Sequence, residues 1–95
     1  MIYQLVSDLT DFFYDYNPEK FKSLYEDFDA GYNDVESKLF SKKDLDELIQ
    51  EIEWICDELM LEDNYNSRQL YKRSLALLKR LKVFKNPLEE KKDEA

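Results

Sequence analysis

Apolar side chains recur three or four positions apart through most of the chain, the spacing of one face of an α-helix. The pattern is clearest between Ser41 and Asp63, where the apolar positions are Leu45, Leu48, Ile49, Ile52, Ile55, Cys56 and Leu59. Ser41 precedes them as an N-cap, since its hydroxyl can accept a hydrogen bond from a free amide of the first turn. We therefore predict a helix here, with Trp54 opposite the apolar positions.

The same spacing predicts three further main helices, over about residues 2–16, 18–29 and 67–84. Asn17-Pro18 separates the first two, because the residue before a proline avoids helical angles and proline suits the first position of a helix. Gly31 is predicted to end the second helix in the left-handed conformation. The apolar side chains predicted to be buried from the second helix are Phe21, Leu24, Tyr25 and Phe28. Those predicted to anchor the next segment, residues 32–40, are Val35, Leu39 and Phe40.

The fold class follows from the scarcity of turn residues. One glycine and two prolines are few for an all-β chain, whereas 95 residues are enough for a single apolar core. We predict an all-α fold, a compact bundle of four main helices with a short extra helix or structured loop between helices 2 and 3. Residues 1–86 form the single domain. Asn86-Pro87 ends the last helix, and residues 87–95 form a charged, mobile tail.

Charge is distributed unevenly along the chain. Residues 1–63 hold 18 acidic and 5 basic side chains, whereas residues 64–88 hold 7 basic and no acidic ones. The predicted partner of this basic helix is the acidic helix before it, because an antiparallel pair would place opposite charges along one seam. The formal net charge of −8 opposes binding to phosphate backbones, and the aromatic side chains of the last helix, Tyr71 and Phe84, lie on its predicted core side rather than among its basic residues. The sequence therefore argues against direct nucleic-acid binding.

The residue types exclude most catalytic chemistry. The chain has no histidine, which removes the usual general base and the Ser-His and Cys-His nucleophiles. A single glycine cannot form a glycine-rich phosphate loop. Asp27 to Gly31 resembles the start of a calcium loop, but the glycine falls one position early and Lys38 occupies the place of the bidentate glutamate. We expect no enzymatic activity, no cofactor and no metal.

Two further features indicate the cellular compartment of the protein. Cys56, the only cysteine, lies among the apolar positions and cannot form an intramolecular disulfide, as is typical of a reducing environment. Residues 1–10 lack the features of a signal peptide, and no run of apolar residues is long enough to span a membrane. A cytoplasmic location without membrane association is expected.

Trp54 is the candidate functional residue. An exposed tryptophan among carboxylates is typical of a protein interface, because tryptophan buries a large area at a small entropic cost. The alternative is that helix 1, the 32–40 segment or the tail covers it. The predicted partner-binding residues are Trp54, Glu47, Gln50, Glu51, Asp57, Glu58 and Leu61, and the predicted secondary acidic patch is Asp8, Asp11 and Asp15.

Two classes of function fit these features. The first is a small acidic, non-catalytic binding protein that inhibits or neutralises a basic protein, such as a toxin, a nuclease or a nucleic-acid-binding enzyme. Immunity proteins, antitoxins and phage-type inhibitors, some of them DNA mimics, share this general character. The second is a helical adaptor or a homodimeric structural or assembly protein with no inhibitory role. Salt should weaken a complex with a basic partner but not an apolar homodimer.

Overall fold

Five helices make up the described part of the protein. The computed structural model describes the backbone of residues 2–94 and the side chains of residues 2–85. The helices are α1 (Ile2–Tyr16), α2 (Pro18–Leu24), α3 (Phe28–Leu39), α4 (Lys42–Leu61) and α5 (Tyr65–Glu94), and residues 2–94 contain no β-strand. The prediction of an all-α bundle is confirmed. The segment predicted to be a short extra helix or a structured loop belongs to a full helix, α3, so the described residues form five helices rather than four with an added loop.

Four of these helices form a closed ring of contacts. α4 packs against α3 and α5, α1 packs against the same two helices, and the short α2 contacts α1. The core is filled by leucine, isoleucine, valine and phenylalanine side chains from all four, the largest fully buried one being Phe12. The fourth member of the bundle is therefore α3 and not the second helix, which has only seven residues.

α4 begins and packs as its sequence predicts. The Ser41 hydroxyl accepts from the amide of Asp44 at 3.4 Å, which places the N-cap where the pattern indicates it. All seven predicted apolar positions are buried, namely Leu45, Leu48, Ile49, Ile52, Ile55, Cys56 and Leu59. The helical period places these positions on one side of α4, which packs against α3 and α5, whereas the opposite side carries acidic residues.

The prediction that Gly31 ends the second helix is wrong, because α3 begins before this residue. Asp27 caps α3 by accepting from the amide of Ala30 at 2.7 Å, so the new helix begins before the glycine. Gly31 lies inside α3 without a positive φ angle, and a Cβ there would lie inside the van der Waals radius of the Phe21 ring. The glycine is required because a ring packs on it, not because the helix ends.

Three apolar side chains predicted to be buried are exposed. Leu24 is 63% exposed, Phe40 is 71% exposed and Phe28 is 38% exposed. The first lies in the last turn of the short α2, and Phe40 follows the end of α3. The predicted anchors Val35 and Leu39 are buried, because they occupy the side of α3 that faces the core.

α4 and α5 form an antiparallel hairpin. Asn64 caps α5 by accepting from the amide of Ser67 at 2.8 Å. Arg68 reaches Asp63 at 2.8 Å near the turn, and Lys85 reaches Asp46 at 2.6 Å far from it, which fixes the antiparallel direction. No helix in the described part of the chain is long and apolar enough to cross a bilayer.

α5 continues beyond the predicted end at Asn86-Pro87. A proline inside a helix removes one backbone hydrogen bond, but the next seven residues are mostly leucine, glutamate and lysine, which favour helix. The helix therefore runs to Glu94. The side chains of residues 86–95 lie outside the described part of the structure. The predicted mobility of residues 87–95 therefore stays a prediction.

Candidate functional site

The outer side of α4 presents the seven predicted contact residues to solvent. Glu47, Gln50, Glu51, Trp54, Asp57, Glu58 and Leu61 are all exposed, and we call this set the acidic face. Trp54 is 56% exposed and Leu61 is 87% exposed. Because helical positions seven apart lie nearly above one another, these two side chains form an apolar line flanked by carboxylates. No described helix covers Trp54, and of the two alternatives from the sequence the exposed one is observed.

Most carboxylates of the acidic face are free of partners among residues 2–85. Glu47, Glu51 and Asp57 make no ion pair or side-chain hydrogen bond within that range. Glu58 is different, since its Oε2 accepts from the Tyr16 hydroxyl at 2.9 Å. The negative charges of Glu47, Glu51 and Asp57 therefore have no cationic partner among the described residues.

An apolar cleft opens beside the acidic face. Its cavity volume is about 90 Å³. Its floor contains Val35 and Ile55, which belong to the core. Its walls come from four helices, and the wall side chains include Phe13, Tyr16, Phe21, Leu24, Tyr25 and Trp54. We call this the aromatic cleft, and Trp54 belongs both to it and to the acidic face.

Ring contacts hold the α2 side of the aromatic cleft. Phe21 packs edge-on against Tyr14, with ring centroids 5.4 Å apart, and at a tilted angle against Tyr25, with ring centroids 5.0 Å apart. The same Phe21 ring covers Gly31. Aromatic pairs in these geometries add stability beyond their area, so the cleft wall is fixed by packing rather than by the seven-residue helix alone.

Two tyrosine hydroxyls tie the edges of the cleft to carboxylates. The Tyr16 hydroxyl donates to Glu58 on α4, and the Tyr25 hydroxyl donates to Asp34 Oδ2 on α3 at 2.9 Å. Asp34 also pairs with Lys38 at 3.1 Å. Burial, and then the hydrogen bond to a carboxylate, raises the pKa of Tyr16 to about 12, and the same two causes raise the pKa of Tyr25 to about 12.

These two raised pKa values predict a loss of stability at high pH. An unfolded tyrosine ionises near pH 10, so the unfolded state loses protons before the folded state does. The stabilisation of the fold that comes from Tyr16 and Tyr25 is complete below pH 10 and is lost as the pH rises towards 12. The urea midpoint should therefore fall between pH 9.5 and 11.5, and fall less in the Tyr16→Phe/Tyr25→Phe variant. The control is Tyr65→Phe, at a 76% exposed position, which should leave the fall unchanged. An equal fall in all three proteins would contradict this assignment.

The predicted secondary acidic patch is largely paired with α5. Arg80 reaches Asp8 at 2.6 Å, and Arg73 reaches Asp15 at 2.9 Å. The hydrogen bond from Arg80 lowers the pKa of Asp8 despite its partial burial. Asp11 is exposed and lines a shallow groove with both arginines. The arginines thus offset the charge that this patch could offer to a partner.

The basic side chains of α5 are shared between two neighbours. The sequence predicts that they face α4. Lys85 does reach Asp46 of α4, but Arg68 reaches Asp63 in the turn that follows α4, and Arg73 and Arg80 reach α1. Arg73 also lies over the Phe12 ring, 5.8 Å from its centroid. Lys72, Lys79 and Lys82 are exposed and make no ion pair with a side chain of residues 2–85.

Within the described residues, no three acidic or cysteine side chains converge as metal ligands. Asp27, considered above as part of a calcium loop, is the N-cap of α3. The sequence analysis missed the aromatic cleft, and the one available signal was the density of aromatic residues between Phe12 and Phe28.

Comparison with known proteins identifies no relative. No protein-family model matches this chain, and neither the curated proteins nor the solved structures give a match.

Proposed function

We propose that this chain is a non-catalytic binding protein that docks a basic protein on the acidic face of α4 and thereby inhibits or neutralises it. The observation that carries the proposal is the exposure of Trp54, an aromatic side chain on a face whose carboxylates include three without a described partner, Glu47, Glu51 and Asp57. Aromatic anchors of this kind supply much of the affinity of protein interfaces. A cytoplasmic protein fits the single buried thiol of Cys56.

The charges of the acidic face support the choice of a basic partner. Glu47, Glu51 and Asp57 lie within about three turns of one helix, so their negative potential adds along the surface. Such a field raises the rate of association with a cationic protein and selects against anionic ones. A toxin, nuclease or other nucleic-acid-binding enzyme presents a basic surface of this kind for its own substrate, and occupying that surface would inhibit it. Direct binding of nucleic acid by the chain itself is disfavoured by the same charges.

The test is charge reversal on the acidic face. Glu47→Lys/Glu51→Lys/Asp57→Lys leaves the Tyr16–Glu58 bond in place, because it alters only the unpaired carboxylates. A basic protein captured from a lysate of the source organism, identified and purified, should bind the triple variant at least about a hundredfold more weakly than the unaltered chain. Affinity for the unaltered chain should fall as salt rises from 50 to 300 mM. Titration calorimetry measures both, and the purified partner's own activity should fall when the chain is added.

A matched control separates the acidic face from total charge. Glu19→Lys/Glu26→Lys/Asp29→Lys makes the same change in net charge at exposed positions on α2, on α3 and between them. Circular dichroism checks that both triple variants remain helical. Equal losses of affinity in the two variants, or unchanged binding by the first, would refute docking on the acidic face.

A second candidate function is self-association as a helical adaptor or homodimer. The observation that favours it is the exposed stripe on α5, where Lys72, Lys79 and Lys82 lie beside Leu75 and Val83. This stripe complements the acidic face in charge, so one copy could place its α5 on the α4 of the next. Sizing at low salt distinguishes the two functions, because only the second gives an assembly without any other protein.

A further inference from the structure

The aromatic cleft has a floor and walls built like a receptor for one side chain. Its floor residues Val35, Leu48 and Ile55 are buried core residues, so the depression is shaped by the packed bundle. Trp54 on α4 and Leu24 on α2 both line it and both remain more than half exposed. Two large apolar side chains left open to water at one cleft are apolar area that a partner can remove from water.

The size of the cleft indicates what it can accept. Its volume of about 90 Å³ is smaller than the engineered apolar cavities of ~150 Å³ that hold a benzene molecule. A leucine- or methionine-sized side chain fits this space better than a tryptophan does. Aromatic walls also suit such an occupant, since rings make favourable contacts with aliphatic groups and with thioether sulfur.

The charges at the cleft indicate what surrounds that side chain. Among the described residues, Glu51 is the one carboxylate that lines the cleft, and it also belongs to the acidic face. On the opposite side, Lys38 is neutralised by Asp34, which leaves Lys20 as the cation of that edge. Basic residues beside the inserted side chain would therefore lie towards α4, where the unpaired carboxylates are.

We propose that the aromatic cleft binds one leucine- or methionine-sized side chain of the partner, inserted from a segment whose adjacent lysine and arginine residues lie along the acidic face. This inference rests on the proposed function and adds the chemistry that the partner must present. The apolar anchor supplies specificity at the cleft, whereas the flanking charges supply attraction along α4.

Three matched peptides test the inference. Each is seven residues long, acetylated and amidated, with Lys-Arg-Lys on both sides of a central leucine, alanine or asparagine. Binding is followed by the emission of Trp54, the only tryptophan in the mixture, and by NMR shifts of the Val35 and Ile55 methyl groups. The leucine peptide should bind at least about tenfold more tightly than the other two, as expected for burial of one aliphatic side chain.

A variant of the cleft provides the second readout. Leu24→Ser removes apolar lining at an exposed position without changing charge, and should reduce the preference for leucine to less than about threefold. Leu75→Ser, on the exposed side of α5, is the control and should leave that preference intact.

The outcomes separate this inference from the proposed function. If all three peptides bind equally and release with salt, the acidic face binds basic segments but the cleft takes no anchor, and the inference is overturned. An undiminished preference for leucine in Leu24→Ser overturns it as well. If no peptide binds at low salt, both the inference and the acidic-face proposal fail.

Discussion

Ile52→Ala should lower the free energy of unfolding by about 2–5 kcal/mol, the largest effect that we expect from a single substitution. Ile52 is fully buried in the middle of α4, where the helix packs against both α3 and α5. Alanine would remove apolar contacts and leave a cavity that the rigid surroundings fill only in part. A chain of 95 residues is typically stable by ~5–14 kcal/mol, so this loss is a large share of the total. Urea unfolding measures it, and the melting temperature should fall by roughly 10–30 °C.

Leu61→Ala is the matched control for Ile52→Ala. It removes a similar aliphatic side chain from the same helix, but at a position that is 87% exposed. Substitutions at such positions change stability by about 0.5 kcal/mol or less. Similar losses at the two positions would mean that α4 is not packed between α3 and α5 as described.

Gly31→Val should destabilise the protein by about 1–3 kcal/mol, although valine favours helix more than glycine does. The reason is steric. An added Cβ would overlap the end of the Phe21 ring, and it would also lie 2.9 Å from Phe21 Cε2 and 3.3 Å from Tyr25 Cδ2. The ring has little room to move, because Tyr14, Tyr25 and Phe28 pack around it. Chemical denaturation of Gly31→Ala and Gly31→Val should give a graded loss.

Replacing the Phe21 ring by a smaller side chain should reverse the effect of Gly31→Ala on stability. In a Phe21→Leu background the overlap is relieved, so Gly31→Ala should become neutral or stabilising through its helix propensity. A double-mutant cycle of these two positions measures the coupling directly. If Gly31→Ala stabilises the unaltered chain, the close packing of Phe21 on the helix is wrong.

The helical period identified α1, α4 and the start of α5 because each carries a continuous apolar stripe on one side. Ser41 and the seven apolar positions of α4 needed only local information. Gly31 was interpreted wrongly because the sequence cannot distinguish a glycine that ends a helix from one on which a distant ring packs. The ring of Phe21 is brought there by the turn at residues 25–27, which local propensity does not determine.

The exposure of the candidate contact residues was predictable, but the shape of the surface beside them was not. The position of Trp54 opposite the apolar stripe follows from helical geometry, and the structure places it in solvent. The aromatic cleft could not be inferred, because its lining residues come from four helices whose packing is a tertiary property. The pairing of Asp8 and Asp15 with arginines was missed for the same reason, since the partners lie 72 and 58 residues away along the chain.

The contacts between α1 and α5 have a consequence for synthesis of the chain. The Arg73 guanidinium can pack on the Phe12 ring, and Arg80 can pair with Asp8, only after α5 has emerged from the ribosome. The hairpin of α4 and α5 also waits for α5, although it joins elements that are adjacent in sequence. In a nascent chain that ends at α4, part of the α1 surface therefore remains uncovered. The ring of helices closes only after α5 has been synthesised.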